Sequence, residues 1–220
     1  ASAVITASYG PVVQNVTVTV ADGRFWYSLG NGLGNGLDNN WYLDGNNASV
    51  VSSDGNKTTV QMGSGYRGDL WLARSGKGKI VNVTPADYRY FAIKVGFKSQ
   101  LVPGKNKPNG CIKLEIFDDG IKKIGPEYFG TGGDANNRYE ILGASEISTT
   151  EPNVLYYDLQ SKYKTVTPTD WNQVFDLSQC KFVIADFPET AQTYDLYWIR
   201  SFKSIEELQA FVDSENNTNE

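Results

Sequence analysis

Trp41 and Tyr42 stand beside Asn39, Asn40 and Asp44 in a chain of 220 residues. Aromatic rings next to amides and a carboxylate suit a sugar. The C–H face of a pyranose packs on a ring, and its hydroxyls need donors and acceptors around the edge. If one sugar face hides roughly 50 Å² of apolar area at about 25 cal/mol per Å², each ring contributes about 1 kcal/mol. A few rings then give weak binding, in the millimolar to micromolar range. A second group is Tyr66, Arg67 and Trp71. Trp71 alternates with Leu70 and Leu72, so leucines facing a core would turn Trp71 to an outer or concave face. The predicted ligand-binding set is therefore Asn39, Asn40, Trp41, Tyr42, Tyr66, Arg67 and Trp71. Trp41 as a core plug is the structural alternative. Trp26 and Trp198 read as core, Trp198 on one face with Leu196, and Trp171 as core or lid. The Arg67-Gly68-Asp69 tripeptide is short enough to arise by chance.

Carboxylates give two further patterns. Glu115, Asp118 and Asp119 are close in sequence, as in some jelly-roll glycosidases, but a retaining enzyme needs two carboxyls about 5–5.5 Å apart on one face. Glu115 and Asp118 fall on opposite sides of a pleat, and Asp118-Asp119-Gly120 reads as a hairpin turn. No catalytic residue is assigned. Asp22, Asp195 and the 133–137 loop offer oxygen ligands of the kind calcium takes. No EF-hand pattern exists and each of these residues is more often a turn former, so no cofactor is expected, with a structural calcium on Asp22 and Asp195 as the alternative.

Composition narrows the chemistry. The chain has no histidine, so Ser-His-Asp, Cys-His and imidazole-metal sites are absent. It carries 28 aromatic residues (5 Trp, 13 Tyr, 10 Phe) and 22 Gly. Rings without reactive groups point to a binder. The formal charge of −5 makes nucleic acid and anionic membrane poor partners. Cys111 and Cys180 match no zinc spacing and are read as two buried thiols or one disulfide. No signal peptide and no run of about 18 apolar residues appears. The Ala-Ser-Ala opening fits either a mature or a trimmed chain, which leaves room for a removed leader.

The elements that must position these residues are strands. Val16–Val20, Lys57–Met62, Leu70–Ala73, Ile80–Val83, Tyr90–Phe97, Ile112–Phe117, Leu155–Leu159, Phe182–Phe187 and Tyr194–Phe202 have β-like patterning, most of them alternating apolar and polar residues. In the cleanest run Phe91, Ile93, Val95 and Phe97 share one face. Asp22-Gly23, Asp54-Gly55-Asn56 and Pro103-Gly104 are among the turns between them. The expectation is an all-β protein, an antiparallel β-sandwich (jelly roll), built as a single domain over 1–220. Residues 29–47 are expected to form a long Gly/Asn-rich loop of functional type. Ser204-Ile-Glu-Glu207 predicts a capping box opening a helix over 204–214, with a frayed tail at 215–220.

The run Asp69-Leu-Trp-Leu-Ala73, followed by Tyr88-Arg-Tyr-Phe-Ala-Ile-Lys-Val95, resembles the middle strands of jelly-roll carbohydrate-binding modules of the broad family-4-like group. The ending, Tyr194 to Leu208, is similar to that of secreted Bacteroidetes domains attached to polysaccharide-degrading systems. The resemblance spans about residues 50–212 and implies a secreted or cell-surface glycan binder. Its partner would be a polysaccharide or oligosaccharide, of plant type such as xylan or glucan. An attached catalytic domain is implied, and no membrane span. Trp71 is the residue it carries over to the site. The alternatives are a jelly-roll glycoside hydrolase or lyase, and a protein-interaction or adhesion sandwich.

Overall fold

The computed structural model describes residues 2–19, 24–34, 41–44, 48–63, 67–74, 77–78, 81–83, 86–100, 112–118, 139–162, 175–185 and 192–218; in several strands, 67–74 and 112–118 among them, side chains are described at few or no positions. Asp22, Asn39, Asn40, Tyr66, Cys111, the 133–137 loop and Trp171 lie outside the described residues.

The alternating run Tyr90–Phe97 is strand β10, and the side chains of Phe91, Ile93, Val95 and Phe97 all enter the main core. Each odd position is apolar and each even one is not uniformly so, which fixes the face buried. Around β10 the larger sheet runs in the order β12 (Glu140–Ile141), β13 (Asn153–Asp158), β10, β15 (Thr193–Phe202), β6 (Thr58–Gln61) and β5 (Ser49–Ser53), with β3 (Trp26–Ser28) also on β15. The smaller sheet runs β11 (Ile112–Asp118), β14 (Phe175–Ala185), β7 (Arg67–Arg74) and β4 (Tyr42–Asp44). Short strands β8 (Lys77–Gly78) and β9 (Val81–Val83) pair with β7 and β14. All of these pairings are antiparallel. Leu70, Phe182 and Ile184 from the smaller sheet meet the β10 and β15 side chains in one core, so the fold is the expected all-β sandwich.

A bulge changes one face assignment. Lys94 pairs with Trp198, and Val95 with Leu196, so Tyr197 is the extra residue on β15. Leu196 and Ile199 enter the main core, whereas Trp198 joins Ala92, Val154, Phe202 and Leu208 in a second cluster. Trp198 is buried as expected, but not beside Leu196. Trp26 is corrected more strongly. It is 42% exposed, while its neighbour Phe25 is fully buried.

The second cluster lies under α2 (Ile205–Thr218), whose Leu208, Phe211 and Val212 pack onto it. The Ser204 hydroxyl accepts from the Glu207 amide at 3.2 Å, satisfying one open helix N–H. The Glu207 carboxylate accepts from the Lys203 amide at 2.7 Å, one residue earlier than the capping-box pattern. The helix runs four residues past the predicted 214. Leu159–Lys162 adds a short helix, α1.

Residues 29–47 do not form a free loop where they are described. Leu29 is fully buried and its amide donates to the Tyr197 carbonyl at 2.9 Å. A Cβ on Gly30 would sit 2.2 Å from the Gly55 carbonyl oxygen, so this backbone contact admits only glycine. Trp41 enters the core and Tyr42–Asp44 is strand β4. The apolar content of this segment is what ties it down. The first strands, β1 (Ser2–Tyr9) and β2 (Val12–Thr19), pair only with each other among the described residues.

Candidate binding cleft

A well-formed concavity among the described residues lies away from Trp41. It is a cleft of about 990 Å³ on the outer face of the larger sheet. Lys94 and Tyr197 from β10 and β15 line it, together with the 141–154 segment and Gln209, Val212, Glu215 and Asn216 of α2. The bulge at Tyr197 sets this geometry, because it puts both Tyr197 and Trp198 on the outer side. Trp198 then anchors the helix, and Tyr197 is left for the cleft.

The wall formed by α2 is fastened by one carboxylate. Glu215 Oε2 accepts from Lys94 Nζ and from Trp198 Nε1, each at 3.0 Å. Arg200 lies 3.7 Å from Glu215 Oε1 and stacks 4.4 Å from the Phe211 and Trp26 rings. Arg24 covers Trp26 at 3.8 Å. The opposite wall is held by buried Asn153, whose side chain accepts from the Ser148 amide at 2.7 Å and donates to its carbonyl at 2.8 Å.

Tyr197 is half-buried, and burial pushes its phenol above its ordinary value, so it stays protonated and can both donate and accept. Lys94 Nζ lies 5.6 Å from the ring centroid. Two residues back along β15, Asp195 is almost fully buried. Its Oδ2 accepts from Lys57 Nζ at 2.8 Å and Lys98 Nζ at 3.0 Å, and its Oδ1 from the Thr59 hydroxyl at 2.7 Å. Desolvation alone would raise this carboxyl, but the hydrogen bonds from Lys57, Thr59 and Lys98 outweigh it and hold it below its ordinary value. Lys57 is raised in turn, chiefly by its bond to Asp195.

The predicted site residues are thus dispersed. Trp41 is fully buried, packed against Tyr27 and Phe182 at ring distances of 6.0 and 5.7 Å, and offers no face to a ligand. Tyr42 is half-buried on β4 and pairs with Trp71 of β7 in register. Arg67 begins β7; like Trp71, its side chain lies outside the described set. Asp195, predicted as a calcium ligand, is an ion-pair centre whose oxygens already hold two ammonium groups and a hydroxyl. Among the described residues no group of three or more Cys, Asp or Glu is placed to hold a metal. Glu115 and Asp118 lie on β11, with a register irregularity between Phe117 and Asp118. What the sequence reading passed over was Lys94, Tyr197 and Glu215. The available signal was Lys94, the one charge in the otherwise uncharged Tyr90–Phe97 run.

Residues 32–208 match a domain of unknown function, DUF4979, which is well over half of the chain, and the protein belongs to that family. The match begins after the β1–β2 hairpin and ends within the first turn of α2. No curated protein and no solved structure matches the chain. No described helix is long and apolar enough to cross a membrane.

Proposed function

We propose that this DUF4979 member is a non-catalytic glycan-binding module whose ligand lies in the cleft between α2 and the larger sheet. The supporting observation is the lining itself. A half-buried Tyr197 ring sits among Asn56, Gln209 and Asn216 amides and the Lys94–Glu215 pair. A ring offers a surface for sugar C–H groups, and amides both donate and accept toward hydroxyls. The volume is of the size that ligand clefts have. The ligand proposed is a polysaccharide, plant-type β-glycan such as xylan or glucan, and the module would act outside the cytoplasm beside an attached catalytic domain.

Binding is favoured over hydrolysis by the carboxyls. A glycosidase needs one carboxyl raised to act as an acid. Of the two carboxylates in the lining, Glu215 is committed to Trp198 and Lys94, which leaves Glu151 without a second free carboxylate there, and Asp195, outside the lining, is lowered. Affinity electrophoresis through gels containing neutral xylan or β-glucan tests the reading. Retardation of the wild type, lost in Tyr197→Ala with the fold intact by circular dichroism, supports it. Free migration in every gel, or release of reducing ends, rejects it.

A further inference from the structure

Glu151 has a fixed backbone and an uncommitted carboxylate. The Ser148 hydroxyl accepts from the Thr150 amide at 3.2 Å and from the Glu151 amide at 3.0 Å. The buried Asn153 side chain closes the same turn from its other end, accepting from the Ser148 amide and donating to the Ser148 carbonyl. Pro152 follows Glu151 directly, and a residue before proline is held to extended backbone. The position of Glu151 is therefore set before any ligand arrives. The residue is exposed and lines the cleft, and its carboxylate makes no hydrogen bond or ion pair among the described residues. The other two charges of the lining, Lys94 and Glu215, meet at 3.0 Å. Glu151 is thus the unbalanced charge of the cleft, on the wall that faces α2.

We infer that Glu151 is the specificity-determining residue of the cleft: with the cleft taken as the glycan site proposed above, it accepts hydrogen bonds from the hydroxyls of neutral sugars and turns away chains that carry uronic acids. An ionised carboxylate has two oxygens and no donor, so it suits neighbouring hydroxyls of one sugar ring and has nothing to give a ligand carboxylate. Such charge-assisted bonds are about twice as strong as neutral ones. A turn already in place spares the ligand the cost of ordering it. Glu215 on the facing wall is less suited to this part, because one of its oxygens already accepts from both Trp198 and Lys94. A like charge brought within about 5 Å in water-like surroundings lowers affinity by about fourfold at low salt.

Calorimetric titration of the full chain at low ionic strength tests this, with a neutral β-glycan oligosaccharide and its uronic-acid-bearing counterpart as the two probes. The wild type should prefer the neutral probe by about fourfold or more. Glu151→Gln, which keeps the shape and removes the charge, should weaken neutral binding by about threefold to fivefold and bring the ratio of the two affinities close to one. Glu151→Lys should reverse the preference. Glu146→Gln removes a charge that is exposed outside the lining and should leave the ratio as it is. Melting temperatures should match the wild type throughout, since neither substitution breaks a contact of the fold. A wild-type ratio retained in Glu151→Gln, with the neutral probe still bound, overturns the role of Glu151 and leaves the glycan site standing. An equal response to Glu146→Gln overturns it as well, because the effect would then belong to overall charge. Binding of neither probe by the wild type overturns the glycan site and this role together.

Discussion

The indole of Trp198 donates to the Glu215 carboxylate at 3.0 Å, tying the last turns of α2 to the bulged strand beneath it. The same oxygen receives Lys94 from the neighbouring strand. One side chain at the end of a helix therefore joins β10, β15 and α2, adding to the Leu208, Phe211 and Val212 packing that seats the helix. This is also why the chain stays helical beyond 214. Frayed residues would strand a desolvated Lys94 and an unpaired indole N–H.

Glu215→Ala should loosen that wall. Loss of a charge-assisted contact of this kind costs about 1.5–3 kcal/mol. Hydrogen-exchange protection should fall across 209–218 while β10 and β15 keep theirs. Unchanged protection in α2 would mean that Leu208 and Phe211 hold the helix unaided.

Asp195 predicts a pH effect. Its carboxyl is lowered in the fold, so its contribution is complete above the unfolded value of about 3.9 and is lost as pH falls through the lower folded value. Asp195→Asn leaves two ammonium groups facing a neutral amide and should cost about 2–4 kcal/mol near neutrality. Its melting temperature should fall less steeply than that of the wild type as the pH drops below about 4. Parallel acid-melting curves would show that the Lys57 and Lys98 contacts carry no net stability.

Trp41 should behave as a core residue. Trp41→Ala removes a fully buried ring and should cost about 3–5 kcal/mol. Trp41→Phe should retain most of the stability and all of the glycan binding. Loss of binding by a fully folded Trp41→Phe would restore that residue to the site.

Lys94, the one cation in the cleft lining, is already paired with Glu215, Lys57 and Lys98 are paired with Asp195, and Glu151 adds a carboxylate to the lining. Neutral chains should therefore bind better than uronic-acid polymers, with affinity changing by less than about twofold when salt is raised. Calorimetric titration against matched neutral and acidic oligosaccharides measures this. A preference for the acidic chain that vanishes with salt would contradict it.

Much of the sandwich was legible because period-two alternation is a direct consequence of one buried face. The Tyr90–Phe97 run matches β10 residue for residue. The Ser204–Glu207 signature marked the start of α2 because it satisfies open N–H groups locally. The cleft was not legible, for two physical reasons. A bulge inserts one residue into the alternation, and nothing in Leu196-Tyr-Trp-Ile199 announces which residue is extra. Glu215 meets Lys94 and Trp198 only through tertiary packing. Trp41 misled because glycines and asparagines around it look like an exposed loop, while the ring itself was large enough to be drawn into the core.

Hydrogen exchange of the intact chain with and without a saturating neutral β-glycan oligosaccharide tests the central claim most directly. The account predicts new protection confined to 94–97, 141–154, 195–198 and 209–216, the segments that form the cleft. Protection appearing instead at 41–44 and 67–74, or nowhere under any oligosaccharide, would contradict it.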